Sequence, residues 1–223
     1  MTSASLLRVQ AVSGTIFLGF VLVHLTNTAF ALGGPEDYNA FQRATRAVYQ
    51  NPVVELVLLM VPLVVHFAAA IVRLSRDGFR RPRLDWRARL HRYTGYYLMT
   101  VVSGHVLATR GPSFFLDFHP GFEGVAFSLW WQPLTFYPYY TLFALAALYH
   151  SLNGLSIALG TFGVRVPRLL RSGPGFWVPI AGAGGVLFLA ILALGGLLFE
   201  IPDPTANEYA KMWNELLGVD LSP

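Results

Sequence analysis

The stretch VQAVSGTIFLGFVLVHLTNTAFALGGP, Val9 to Pro35, holds no charged residue and one ionisable side chain, His24. A helix of about 20 apolar residues crosses the hydrocarbon core of a bilayer, and this run is long enough. Outward from it, the stretches Tyr93–Thr109, Gly124–Val164 and Ser172–Phe199 are also free of charge, and Val53–Val72 is broken only by Glu55 near its start. The chain of 223 residues is 54% hydrophobic and 13% charged, with a mean hydropathy of +0.50. Five spans take up roughly half of it, which leaves too little chain for a separate soluble domain. This excludes a water-soluble enzyme, a nucleic-acid binder and a disordered chain. The expectation is an all-α, polytopic membrane protein with a single domain over 1–223. Its spans are expected at about 9–32, 53–74, 92–110, 137–160 and 176–199, followed by a short acidic tail.

The net charge of +4 is topological, because the basic residues lie between the spans. Arg8 precedes the first span, eight arginines lie between Arg73 and Arg92, and Arg165, Arg168 and Arg171 follow span four. These make 12 of the 16 basic residues, against Arg43, Arg46, Arg110 and Lys211 on the alternate side. The positive-inside rule puts the 12 in the cytoplasm, so the N-terminus is inside and the acidic tail outside. The apolar run after Arg8 is too long for a signal-peptide core and lacks a small-residue exit, so it reads as an uncleaved helix. Pro35, Pro52, Pro82, Pro112, Pro133, Pro167 and Pro174 fall in the connections. Trp130, Trp131, Tyr137, Tyr139 and Tyr140, with Trp86 and Trp177, occupy aromatic-belt positions, and 112–138 carries an aromatic segment along the outer surface.

With no cysteine, the chain has no disulfide, thiolate metal site, iron–sulfur cluster or thioether-linked haem of its own. It has histidines in the membrane instead: His24, His66, His105 and His150, one on each of the first four spans. A lone intramembrane histidine most often bridges helices by hydrogen bonding. One on each of four consecutive spans is the pattern bis-histidine haem ligation requires. At 1.5 Å per residue, His24 lies about 20 Å from the inner end of span one and His105 at nearly the same height, while His66 lies about 10 Å from the inner face. Two tiers follow, His24 with His105 outside and His66 with His150 inside. In an up-down bundle of the first four spans each pair is diagonal, across a core with room for two haems.

An internal repeat points the same way. Ser13-Gly14 precedes His24 by the spacing at which Thr94-Gly95 precedes His105. Ten residues rise about 15 Å, so each glycine lies at the level of the other tier, where a missing side chain lets a haem edge approach the backbone. Ala70 and Gly154 stand one turn inward of His66 and His150. The plain alternative is that such small residues serve helix packing. Haem carboxylates need donors near the water interface, and Gln10, Ser13, His91 and Arg92 are the candidates for the inner haem.

These residues resemble a known family. Gln10-Ala11-Val12-Ser13-Gly14 with His24, then His66, His91-Arg92-Tyr93-Thr94-Gly95 with His105, and His150 with Gly154 are similar to the di-haem cytochrome b anchor of succinate dehydrogenase or fumarate reductase, the class with one five-helix anchor chain. Pro35-Glu36-Asp37-Tyr38-Asn39-Ala40-Phe41 is also typical of such anchors. The resemblance covers 8–160; span five and the tail match only in number and position. It implies iron ligation of a proximal haem b by His66 and His150, near a cytoplasmic iron–sulfur subunit, and of a distal haem b by His24 and His105. It places Gln10 by the proximal propionates. It further implies a flavoprotein subunit bearing the dicarboxylate site, a bacterial cytoplasmic-membrane location, a place in the respiratory chain and tricarboxylic acid cycle, a homo-oligomer of the complex, and a quinone, menaquinone in preference to ubiquinone. Asn27, Glu36 and Glu55 are the candidate quinone contacts. The Arg73–Arg92 loop would raise the proximal potential and offer a basic docking face.

Two other classes compete. A hydrogenase or formate dehydrogenase cytochrome would share the bis-histidine logic but places two histidines on one helix. A haem-free transporter would need broken helices and an acidic residue at mid-membrane.

Overall fold

Long apolar runs punctuated by proline and glycine become long helices. In the computed structural model, which describes residues 2–78, 85–115, 118–171 and 173–218, α1 spans Ser3–Phe30 and runs into a 3₁₀ turn, Ala31–Gly33. Gly34, at φ +100°, takes a backbone conformation open to glycine and ends it. Pro35 opens α2, Pro35–Tyr49. Asn51 caps α3, Pro52–Val54, its side chain accepting from Val53 and Val54 N–H. A π-helical stretch, Glu55–Met60, leads into α4, Val61–Asp77. Pro62 explains the wide turns: it has no N–H to give to the carbonyl four residues back, and its ring crowds that carbonyl. Then come α5 (Trp86–Phe115), α6 (Phe122–Trp131), α7 (Pro133–Thr161), α8 (Pro174–Leu194) and α9 (Glu208–Leu217). No strand occurs among the described residues.

Among the described residues, four helical stretches are long and apolar enough to cross a membrane: Ser3–Gly33, Pro52–Arg76, Pro133–Thr161 and Pro174–Leu194. They carry large exposed apolar side chains, among them Val64, Leu142 and Val178, consistent with a multi-pass membrane protein. The helix holding the expected third span, α5, is long enough at 30 residues but less apolar. Tyr93, Thr94, Tyr96, Tyr97, Ser103 and His105 dilute its Val and Leu.

Several boundaries differ from expectation. Pro112 does not lie in a connection: it sits within the last turns of α5. The expected fifth span stops at Leu194, not 199. There Gly196 (φ +74°) turns the chain, Gly196 N–H reaches Ala193 O, and Leu197 N–H reaches Leu192 O at 2.9 Å, a glycine stop. The connection after the first span holds α2, the aromatic segment expected within 112–138 is α6, and the acidic tail holds α9. Pro82, Arg80, Arg81 and Arg83 of the basic loop lie outside the described residues.

The chain divides into two compact units. The first comprises Met1–His24, Thr45–Met99 and Ala146–Gly184. Arg87 is its hub: Nε donates to Asn153 Oδ1 at 2.5 Å, Nη2 donates to Leu170 O at 3.0 Å, and the guanidinium lies 3.7 Å from the Phe176 ring centre. Trp86 stacks on Trp177, which stacks on Tyr149.

The second unit comprises Leu25–Ala44, Thr100–Leu145 and Gly185–Pro223. Its core joins Ala31, Tyr38, Phe122, Ala126, Leu129, Ala190, Ile191 and Leu194. Asn39 fastens α6 to α2: Oδ1 accepts from Phe122 N–H and Nδ2 donates to Glu123, both at 2.9 Å. In the tail, Thr205 donates its N–H and hydroxyl to Asp203, which holds that carboxyl below its usual range.

Asn39→Ala strands the N–H of buried Phe122 and should destabilise the protein by about 1–3 kcal/mol. Thermal unfolding in detergent should show a lower Tm; an unchanged Tm would mean that Asn39 does not secure α6.

Candidate functional site

Histidines from three helices meet in the first unit. His66 of α4 and His150 of α7 have ring centres 6.3 Å apart and planes 84° to one another. His91 of α5 stacks flat on His150, 4.1 Å between centres and 9° between planes. The Nδ1 of His66 lies 3.0 Å from Gln10 O, and the Nδ1 of His150 lies 3.1 Å from His91 O. A carbonyl oxygen can only accept, so each Nδ1 carries the proton and donates. Each Nε2 therefore keeps its lone pair.

That tautomer suits a metal ligand whose other nitrogen is tied to the backbone. Two imidazoles on opposite sides of one metal, with bonds of about 2 Å, would have ring centres roughly 6 Å apart, close to the spacing of His66 and His150. A neutral imidazole that keeps its Nε2 lone pair is the donor type a bis-histidine haem iron takes. Among the described residues no group of three or more His, Asp or Glu side chains is placed to hold a bare metal ion; a haem iron asks the protein for two axial ligands.

The glycines of the repeat lie against these rings. A Cβ on Gly14 would stand 2.8 Å from His66 Cε1, and one on Gly95 would stand 2.9 Å from His150 Cε1. The room they leave holds an imidazole of another helix. Gly154 is next to His91, whose Cε1 would be 3.4 Å from an added Cβ. His91 Nδ1 is buried and has no hydrogen-bond partner.

The other expected inner contacts divide. Ser13 Oγ donates to its own helix, to Val9 O at 2.8 Å and Gln10 O at 3.3 Å. Gln10 Oε1 accepts from Arg73 Nη1. Arg92 is turned to Tyr96 and to the carbonyl of Gly78. Arg73 is thus the guanidinium paired with Gln10, and sequence reasoning passed over it individually. The signal was available: Arg73 follows His66 by seven residues, about two turns, and so shares its face. Asn153, three residues after His150 and bound to Arg87, shares a face in the same way.

His24 and His105 fall in different units. His24 stacks on Phe20, with ring centres 5.5 Å apart. His105 Nδ1 lies 3.4 Å from the Tyr139 hydroxyl, and its ring meets Phe143 edge-on at 4.8 Å. Tyr139, read in the sequence as a belt residue, therefore contacts a histidine. Of the quinone candidates, Asn27 is only 4% exposed and its Oδ1 has no hydrogen-bond partner. Glu36 is exposed on the first turn of α2, and Glu55 starts the π-helical stretch. Asn27 and Glu36 belong to the second unit and Glu55 to the first.

No family model, curated protein or solved structure matches the chain.

Asn153→Leu removes the neutral acceptor of a guanidinium that lies against Phe176. It should cost about 1.5–3 kcal/mol, the worth of a hydrogen bond to a charged group, read as a lower Tm in detergent. No change in Tm would refute the role of Arg87 as hub.

Proposed function

We propose that the chain is the membrane-anchor and quinone-reactive subunit of a succinate:quinone oxidoreductase, a succinate dehydrogenase or fumarate reductase whose dicarboxylate site lies on another chain. It would pass electrons between a cytoplasmic iron–sulfur subunit and membrane quinone, with menaquinone preferred, as part of a respiratory chain linked to the tricarboxylic acid cycle. The single observation that carries this reading is the His66–His150 pair, each imidazole presenting Nε2 while its Nδ1 is bound to a backbone carbonyl.

Haem iron, when bound, supplies reversible one-electron chemistry. The chain's residues do the rest. His66 and His150 hold the proximal iron, and their Nδ1–H bonds fix tautomer and orientation. Gln10, Ser13, His91 and Arg92 belong to the proximal surroundings, with Arg73 a nearby cation that favours carboxylate groups. His24 and His105 hold the distal iron, a pairing supported by the sequence repeat and the matched helix depths. Asn27 offers a buried amide to quinone, with Glu36 and Glu55 as acidic candidates. Five spans, the first four an up-down bundle, would carry this set in a bacterial cytoplasmic membrane, N-terminus inside and tail outside. The remaining partners are a flavoprotein subunit, lipid and further copies of the complex.

A reduced-minus-oxidised optical spectrum of the purified protein should show two b haems. His66→Ala or His150→Ala should remove one, and His24→Ala or His105→Ala the other, the surviving haem reporting on folding. Material colourless in the Soret region would end this reading.

The chain has no cysteine, so single introduced cysteines report topology. Arg168→Cys should react with an impermeant thiol reagent only from the cytoplasmic side, and Lys211→Cys only from the outer side; labelling of both from one side would refute the orientation.

A further inference from the structure

The two helices that face His66 and His150 repeat one local pattern. On α1 it is Gln10, Ser13, Gly14; on α5 it is His91, Thr94, Gly95, at the same offsets. In each, the first residue's carbonyl receives an imidazole Nδ1–H from another helix, at 3.0 Å and 3.1 Å. In each, the hydroxyl three residues on is shared between two carbonyls of its own helix, Ser13 Oγ with Val9 O at 2.8 Å and Gln10 O at 3.3 Å, and Thr94 Oγ1 with Leu90 O at 2.9 Å and His91 O at 3.0 Å; Thr94 Oγ1 also lies 3.4 Å from His150 Nδ1. In each, the fourth position is a glycine against which the imidazole ring lies.

The parts depend on one another. Residues i and i+4 of a helix lie on one face, one above the other. A side chain at i+4 would stand where the ring must pass to reach the carbonyl of i. The added Cβ would come within 2.8 Å of His66 and 2.9 Å of His150, closer than carbon atoms pack. A helix carbonyl has two lone pairs, so it can serve its own helix and still accept from the ring.

We propose that α1 and α5 each carry an imidazole cradle, in which Gly14 with Gln10 O positions His66 and Gly95 with His91 O positions His150, as matched clamps on the two axial ligands of one haem. This rests on the haem reading above. The cradle residues are positioning residues: they fix which nitrogen bears the proton and how the ring is turned. The 84° between the two ring planes is the orientation they impose. The hydroxyls of Ser13 and Thr94, shared with Val9 O and Leu90 O, are second, weaker donors to the accepting carbonyls.

The test uses the full-length protein purified from membranes, with haem content, optical and ferric electron paramagnetic resonance spectra, and midpoint potentials as readouts. Gly14→Ala and Gly95→Ala should each lose, or visibly shift, the signal of one haem, the same haem in both, and leave the other haem unchanged as a folding control. Gly19→Ala and Gly104→Ala lie on the same helices with open space at the Cβ and should leave both haems unchanged. If both haems are present in the unaltered protein and the Gly14 and Gly95 variants leave both unperturbed, or affect different haems, the cradle is wrong and the haem reading stands. A colourless unaltered protein overturns both. Should the alanine variants fail to accumulate, Ser13→Ala and Thr94→Val decide. Each removes a hydroxyl from beside the accepting carbonyl, and Thr94→Val also removes the oxygen 3.4 Å from His150 Nδ1, so each should shift the potential of that same haem; an unmoved potential overturns the cradle.

Discussion

An imidazole carried into the apolar interior of a membrane loses the water that served both its nitrogens. One nitrogen must donate and the other must accept, and either left unpaired is costly. In His66 and His150 the donor is satisfied by a carbonyl of a neighbouring helix. This bond determines much else. It needs a glycine four residues further along the facing helix, it brings two helices close, and it leaves Nε2 as the nitrogen that keeps its lone pair.

The charged groups of the first unit follow a related economy. Arg87 lies against an aromatic face and binds neutral oxygens, and Arg73 binds the neutral amide oxygen of Gln10. Guanidinium groups tolerate such surroundings because their charge is spread and weakly hydrated. The neutral partners of Arg87 leave its positive potential less cancelled than a carboxylate would.

Much of this was legible in the chain. Long charge-free runs became α1, α4, α7 and α8, because nothing in them favours water over a closed backbone ladder. The repeat of Ser13-Gly14 and Thr94-Gly95 was legible as spacing. What occupies the glycines was not, since a sequence shows a missing side chain and not what fills its place. The short helices α2 and α6 were hidden for another reason. The seat of α6 on α2 comes from bonds of Asn39 to Phe122 N–H and Glu123, partners too far apart in sequence to show locally, whereas α9 has its own local signals, Asn207 as N-cap and Gly218 as C-cap. Pro112 misled because a proline usually marks a helix boundary, yet here α5 continues three residues past it, to Phe115. Tyr139 was read by composition as an interfacial aromatic, yet its hydroxyl lies by His105.

That last contact separates the two kinds of histidine. A carbonyl accepts and nothing else, so His66 and His150 have one tautomer each. A phenol both donates and accepts, so the contact with Tyr139 does not by itself fix the tautomer of His105. If His105 takes a metal through Nε2, its Nδ1 must donate and the Tyr139 hydroxyl must turn its own hydrogen elsewhere. The tautomers of His66 and His150 are thus set by backbone carbonyls, which cannot turn, while the contact of His105 with Tyr139 is to a side-chain hydroxyl, whose hydrogen can.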